Sequence, residues 1–192
     1  MADAPVRPER VLVMCTANQC RSPLGAALLR RRAAERGLAI EVLSAGLGES
    51  GHPATEPTVA AAALAGIDLR GHRSRTVTPE LLAGSDLLVT MERMHVREAV
   101  VLHPDVWRTA FTLPDLVRRA EKIDPRPEGE SLRVYCGILG AGRDRSAVMG
   151  SSPDDDVRDP TVDAGVDHDV TLATIDDLVT RMLARLWPGV GA

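Results

Sequence analysis

Aromatic side chains are nearly missing from this sequence: Trp107, Phe111, Tyr135 and Trp187 are the four among 192 residues. Few places can therefore offer a ring for a flat ligand to stack on. Cysteine is equally sparse, and three thiols, an odd number, argue against a disulfide framework and fit a reducing compartment. No stretch approaches the roughly 18 uninterrupted apolar residues of a membrane-spanning helix. The opening residues Met1 to Glu9 lack the apolar core of a secretion signal, so no membrane insertion and a cytoplasmic location are expected. With a net charge of −4 there is no overall basic field to draw in nucleic acid. Internal repeats are absent, as is low complexity beyond the alanine-rich Ala60 to Ala65.

What is present is ordinary for a globular protein, 44% hydrophobic and 26% charged. The length suits a single domain over residues 1–192 with a full core. Arg10 to Met14 reads as a buried strand, and Ser22-Pro23 opens a helix that stops at Gly37. A strand over Glu41 to Ser44 and a helix from Thr55-Glu56-Pro57 to Gly66 follow. A short helix at Thr78-Pro79-Glu80, a strand over Asp86 to Thr90, a helix over Met94 to Leu102 and a strand over Trp107 to Leu113 come next. Alternation of this kind predicts an α/β fold with a parallel sheet covered by helices on both faces. Leu116 to Lys122 reads as helix and Asp124 to Glu130 as a loop. Leu132 to Ile138 fits both a period of two and helical spacing, with helix favoured. Arg143 to Asp156 is polar and expected to be mobile, and a last helix runs from Asp169 to Leu186.

The chemistry concentrates where the first strand ends. Cys15 is followed by Thr16-Ala17-Asn18-Gln19-Cys20, then by Arg21, Ser22 and Pro23. A short loop feeding a helix start presents backbone N–H groups and the positive end of the helix dipole to an anion. The same field favours the thiolate of a cysteine placed there. A cation is disfavoured at a helix start, so Arg21 points to an anionic ligand, which its planar fork can hold through two oxygens. A nucleophile inside a phosphate cradle predicts a cysteine-dependent phosphatase. His52, His95 and His103 are scattered without metal-ligand spacing and read as structural or surface residues. Arg30-Arg31-Arg32 reads as a solvated helix face, and Cys136 as core.

These residues resemble the low-molecular-weight protein tyrosine phosphatase family. The likeness covers Arg10 to Leu102 and Val157 to Trp187, with a probable insertion at about 114–153. It rests on Cys15-x5-Arg21-Ser22-Pro23, Ser44-Ala45-Gly46, Gly66-Ile67, His72-Arg73-Ser74-Arg75, Asp86 with Met91, and Asp159-Pro160. The resemblance implies a three-layer sandwich around a four-stranded parallel sheet, with the phosphate-binding loop after the first strand. It implies catalysis by Cys15, Arg21 and Asp159, with substrate held by Thr16, Ala17, Asn18, Gln19, Cys20 and Ser22. It also implies loop support by His72, no metal or cofactor, and a phosphorylated protein, with phosphotyrosine as substrate class.

Two departures bear on the substrate. Ala17 stands where the family has glycine, and Thr161 follows Asp159-Pro160 where an aromatic walls the cleft. Leu47 to His52 has no ring either, leaving Tyr135 as the candidate aromatic wall. Cys20 fits either a reversible disulfide with Cys15 or a packed thiol. Phosphoarginine hydrolysis, arsenate reduction and a weakly catalytic phospho-binding module are the competing functions. The segment Met91 to Arg97 lacks the further cysteines that a reductase relay needs.

Overall fold

Residues 7–163 and 165–189 are described by a computed structural model of the chain. The stretch Met1 to Val6, part of the region read as lacking a secretion signal, lies outside the described residues. Four parallel strands, β1 (Glu9–Cys15), β2 (Ile40–Gly46), β3 (Leu87–Thr90) and β4 (Ala110–Thr112), form one sheet in the order β2-β1-β3-β4. Helices α1 (Arg21–Glu35), α2 (Glu56–Leu64), α3 (Pro79–Ala83), α4 (Arg93–Leu102), α5 (Leu113–Ala120), α6 (Leu132–Leu139) and α7 (His168–Leu186) surround it.

Side-chain alternation along β1 divides the core into two layers. Val11, Val13 and Cys15 face one side, where Leu24 and Leu28 of α1 and Ile175, Val179 and Leu183 of α7 cover them. Leu12 and Met14 face the other, against Leu82 of α3 and Val96 and Ala99 of α4. The chain is thus a three-layer α/β sandwich. Strand β1 lies between β2 and β3, so Cys15 leaves the sheet at its C-terminal edge, beside the turn where the strand order reverses. That is where open α/β sheets place ligands.

Several expectations need correction. The strand expected over Trp107 to Leu113 shrinks to Ala110–Thr112. Pro104 instead starts a 3-10 helix (Pro104–Arg108) that buries Val106 against the β1 face. Leu132–Leu139, by contrast, is the helix that was favoured: Leu132, Tyr135, Cys136 and Leu139 are buried while Val134 and Ile138 are exposed, a spacing a strand cannot produce. Arg143 to Asp156, expected to be mobile, is anchored at both ends. The Arg143 guanidinium lies 4.0 Å over the Phe111 ring and 4.4 Å over that of Trp107, and donates to the Ala110 carbonyl at 2.6 Å. At the other end Asp155 is buried in ion pairs with Arg93 and Arg118. The arginine run of α1 is less solvated than expected. Arg31 donates to the Ala65 carbonyl, and Arg32 pairs with Asp176 at 2.5 Å.

Candidate functional site

The loop Thr16 to Cys20 is shaped by backbone geometry that the surrounding residues enforce. Asn18 has φ = 54°, the one described non-glycine residue in the left-handed region, and it is fully buried. Each polar atom of its side chain is engaged: Oδ1 accepts from the Arg75 amide at 2.9 Å, and Nδ2 donates to Ser22 Oγ at 2.9 Å. His72 Nε2 donates to the Asn18 carbonyl at 2.6 Å. Burial holds the His72 pKa below its ordinary value, so the neutral ring carries its proton on the donating nitrogen. The Thr16 carbonyl accepts from the Leu47 and Gly48 amides at 2.6 and 3.0 Å, and the Gln19 carbonyl from Thr55 at 3.0 Å. Gly46 is required underneath, since a Cβ there would lie 2.6 Å from the Asn18 nitrogen and 2.7 Å from the Thr16 oxygen. With the carbonyls turned outward to these partners, the amides of Ala17 to Cys20 donate to no protein acceptor among the described residues. They form the concave N–H surface that binds anions.

At the two ends of the loop sit a thiol and a guanidinium. Cys15 is 2% exposed, and its Sγ lies 3.0 Å from Ser22 Oγ. Arg21, the first residue of α1, is 1% exposed and has three oxygen partners. Its Nη1 donates to Glu92 Oε1 and, at 2.8 Å, to the Val157 carbonyl; its Nη2 donates to Asp159 Oδ2 at 2.6 Å. Burial would lower its pKa, but the charge of Asp159 and the bond to Glu92 more than offset that, and the net shift is upward. Arg21 Nε is buried without a partner. A donor left orphaned beside a cradle of free amides fits an anion with several oxygens. Ala17 and Gln19 are half-buried and Thr16 exposed at the mouth.

Asp159 stands on the segment between the 3-10 turn at Arg145–Val148 and α7. Its Oδ1 accepts from the Thr161 amide at 3.0 Å and from the Thr161 hydroxyl at 2.7 Å, so the residue in the expected aromatic position orients the carboxylate instead. Cys20 is a buried thiol whose pKa burial pushes up to about 11, against a hydrogen bond from Thr58 that lowers it. No disulfide joins it to Cys15.

Two residues of the site escaped the sequence reading. Glu92 was given no role, and His95 was counted among scattered histidines, yet His95 is fully buried against the loop. The Glu92 amide donates to His95 Nδ1 at 3.0 Å, so the ring proton sits on Nε2 and is donated to Thr16 Oγ1 at 3.0 Å. Burial, aided by the charge of Arg21, lowers the His95 pKa to about 3. A Glu followed three positions later by His at a helix start is a capping pattern, and it was the available signal. Tyr135 does not wall the cleft. It is buried in α6, 2% exposed, with its hydroxyl donated to the Asp124 carbonyl. Trp187 donates to Glu9 at the far end of β1, and Trp107 and Phe111 lie under Arg143, so none of the four Trp, Phe and Tyr rings borders the loop. Among the described residues no cluster of three or more metal-ligating side chains is found. None of the described helices is long and apolar enough to cross a membrane.

Residues 10–125 match the family model described as low molecular weight phosphotyrosine protein phosphatase. The low molecular weight protein-tyrosine-phosphatase Etp of Escherichia coli is 34% identical over 131 residues, covering 67% of this chain and 86% of that protein. Among solved structures, the low molecular weight protein tyrosine phosphatase from T. tengcongensis superposes with a TM-score of 0.68 at 25% identity, covering 93% of this chain and 99% of the other. The YwlE arginine phosphatase from Geobacillus stearothermophilus gives 0.61 at 26% identity, covering 91% and 88%.

Proposed function

Because this chain belongs to the low-molecular-weight phosphotyrosine protein phosphatase family, whose members are cysteine-based phosphatases, we propose that it hydrolyses phosphotyrosine in proteins through a phosphocysteine intermediate. The observation that carries the reading is the buried Arg21, with an orphaned Nε, ending a loop of free amides that begins at Cys15 and facing Asp159. Cys15 Sγ forms a bond to phosphorus while the phosphorus–oxygen bond to the leaving group breaks. Arg21 and the loop amides hold the equatorial oxygens. A phosphoryl dianion taking up Arg21 displaces Asp159 Oδ2 from Nη2, and Asp159, protonated, gives its proton to the departing oxygen. In the second step Asp159 takes a proton from water, the water oxygen bonds to phosphorus, and the sulfur–phosphorus bond breaks to release inorganic phosphate and the thiolate. Ser22, 3.0 Å from Sγ, stabilises the thiolate at both ends of the cycle.

A second reading has its own observation. None of the Trp, Phe and Tyr rings borders the mouth, and two carboxylates, Glu92 and Asp159, face Arg21, which suits a leaving group that departs as a guanidine. The YwlE structure carries the name of an arginine phosphatase. The two readings separate on matched peptides bearing phosphotyrosine or phosphoarginine. The first expects a higher kcat/KM on phosphotyrosine, and the reverse order would replace it with the second. In both, Cys15→Ser abolishes turnover; full activity in that variant would overturn the mechanism.

A further inference from the structure

Segment 152–157 is bolted to the start of α4 by a set of contacts that the mechanism above does not use. Asp155, 6% exposed, receives Arg93 from α4 at 2.5 Å on one carboxylate oxygen. Its other oxygen receives Arg118 from α5, also at 2.5 Å. Asp156 accepts the Arg93 amide at 2.8 Å and the Ser152 amide at 2.8 Å. The Val157 amide donates to the Met91 carbonyl at 2.7 Å, while its own carbonyl takes Arg21. Asp159 follows two residues later, and Glu92, between Met91 and Arg93, holds the other side of the same guanidinium. Arg118 also donates to the Asp154 carbonyl at 3.2 Å. Burial alone would raise the Asp155 pKa, but its two arginines bring it below the ordinary carboxylate value, so it is a fixed anion at neutral pH.

We propose that Asp155 is the positioning residue for Asp159, and that Arg118, contributed by α5, completes the clamp with Arg93. The clamp thereby supports the reaction by fixing where the proton donor sits. A carboxyl that must reach a leaving oxygen needs placement within a few tenths of an ångström, and the clamp supplies it from three elements, α4, α5 and the returning segment. Removing the clamp frees Asp159 to wander while Cys15, the loop amides and Arg21 stay in place. The consequence is specific: bond cleavage should suffer where the leaving group needs a proton and be spared where it does not.

The inference rests on the phosphatase reading, and one experiment tells the two apart. kcat/KM would be measured for phenyl phosphate and p-nitrophenyl phosphate with wild type, Asp155→Asn, Arg118→Gln, Asp159→Asn and the double variant Asp155→Asn with Asp159→Asn. With Asp155→Asn the phenyl ester should lose about tenfold or more, whereas the nitrophenyl ester, whose leaving group departs unprotonated, should lose less than about threefold. The double variant should be no slower than Asp159→Asn alone, because the clamp acts through that residue. Arg118, 41% exposed, tolerates replacement, so Arg118→Gln carries the same test if Asp155→Asn fails to fold. An equal loss on both esters, or losses that add in the double variant, would overturn the proposal and leave the phosphatase standing. A wild type inactive on both esters would overturn both.

Discussion

The loop from Cys15 to Ser22 and the returning segment from Ser152 to Asp163 converge on one guanidinium but are held by different forces. The loop is fixed by backbone: a left-handed asparagine, outward carbonyls and a glycine against which the chain lies too close for any Cβ. Its polar contacts are mostly neutral and buried. The returning segment is fixed mainly by charge, through Asp155 and Asp159 against Arg93, Arg118 and Arg21, with Asp156 accepting the Arg93 and Ser152 amides. Backbone geometry tolerates no substitution but is insensitive to salt. Ion pairs tolerate some substitution and weaken with salt or acid where they are exposed. A site built this way keeps its anion cradle rigid and leaves its proton donor on the adjustable part.

Arg21→Lys is the sharpest way to break the comparison, because Arg21 is where both regions meet. An ammonium cannot reach Glu92, the Val157 carbonyl, Asp159 and a phosphoryl oxygen at once, so kcat/KM on an aryl phosphate should fall about a thousandfold. A loss of less than tenfold would show that the fork is dispensable. Gly46→Ala should come next. Its Cβ would press on the Asn18 nitrogen and the Thr16 oxygen, backbone atoms that cannot step aside, so the loop must shift. Activity should drop about a hundredfold, as misplacements of about an ångström do. Unchanged kinetics would mean that the loop is not held by close approach.

The same contrast explains what the sequence alone made legible. The cradle could be read because its chemistry is local: Cys15, Arg21 and Pro23 lie within nine residues, and the strand before them is an unbroken apolar run. His72 and Asp159 were reached through resemblance, not spacing, since they contact Asn18 and Arg21 across separations of 54 and 138 residues. Asp155 lay hidden within the polar stretch Arg143 to Asp156, because its two arginines lie 62 and 37 residues away and leave no local trace. Tyr135 was misplaced for a related reason. In a chain so poor in rings, any aromatic outside the core motif looks available for the cleft, yet burial in α6 had already claimed this one.

Arg143→Ala sharpens the comparison from the other end of the 143–156 segment, away from Asp155. The guanidinium caps the Phe111 and Trp107 rings and donates to the Ala110 and Trp107 carbonyls. Its removal should cost about 2 kcal/mol of stability, from the lost charged hydrogen bonds and cation–π contacts. Denaturant unfolding would show this as a lower midpoint, with kcat/KM within about twofold of wild type. A large kinetic loss at unchanged stability would mean that the whole 143–156 segment, not only Asp155, is coupled to the site.

The smallest effect concerns His95, which belongs to α4 but serves the loop. Its pKa falls from 6.5 to about 3 in the folded chain, first through burial and then through the charge of Arg21. Between those values the unfolded chain binds a proton that the folded one refuses, so stability should rise with pH across that window. The contribution is fully present above about 6.5 and is lost progressively as pH falls toward 3. His72, also depressed, acts in the same sense, so His95 supplies only part of the slope. Paired carboxylates such as Asp155 and Asp86 enter near and below their ordinary range, which restricts a clean comparison to pH above about 4.5. In His95→Gln, which keeps an amide donor for Thr16 and an acceptor for Glu92, the gain in melting temperature from pH 4.5 to 7 should be smaller than in wild type. Parallel curves would show that His95 is protonated without penalty, and would remove the neutral ring from the description of how Thr16 is held.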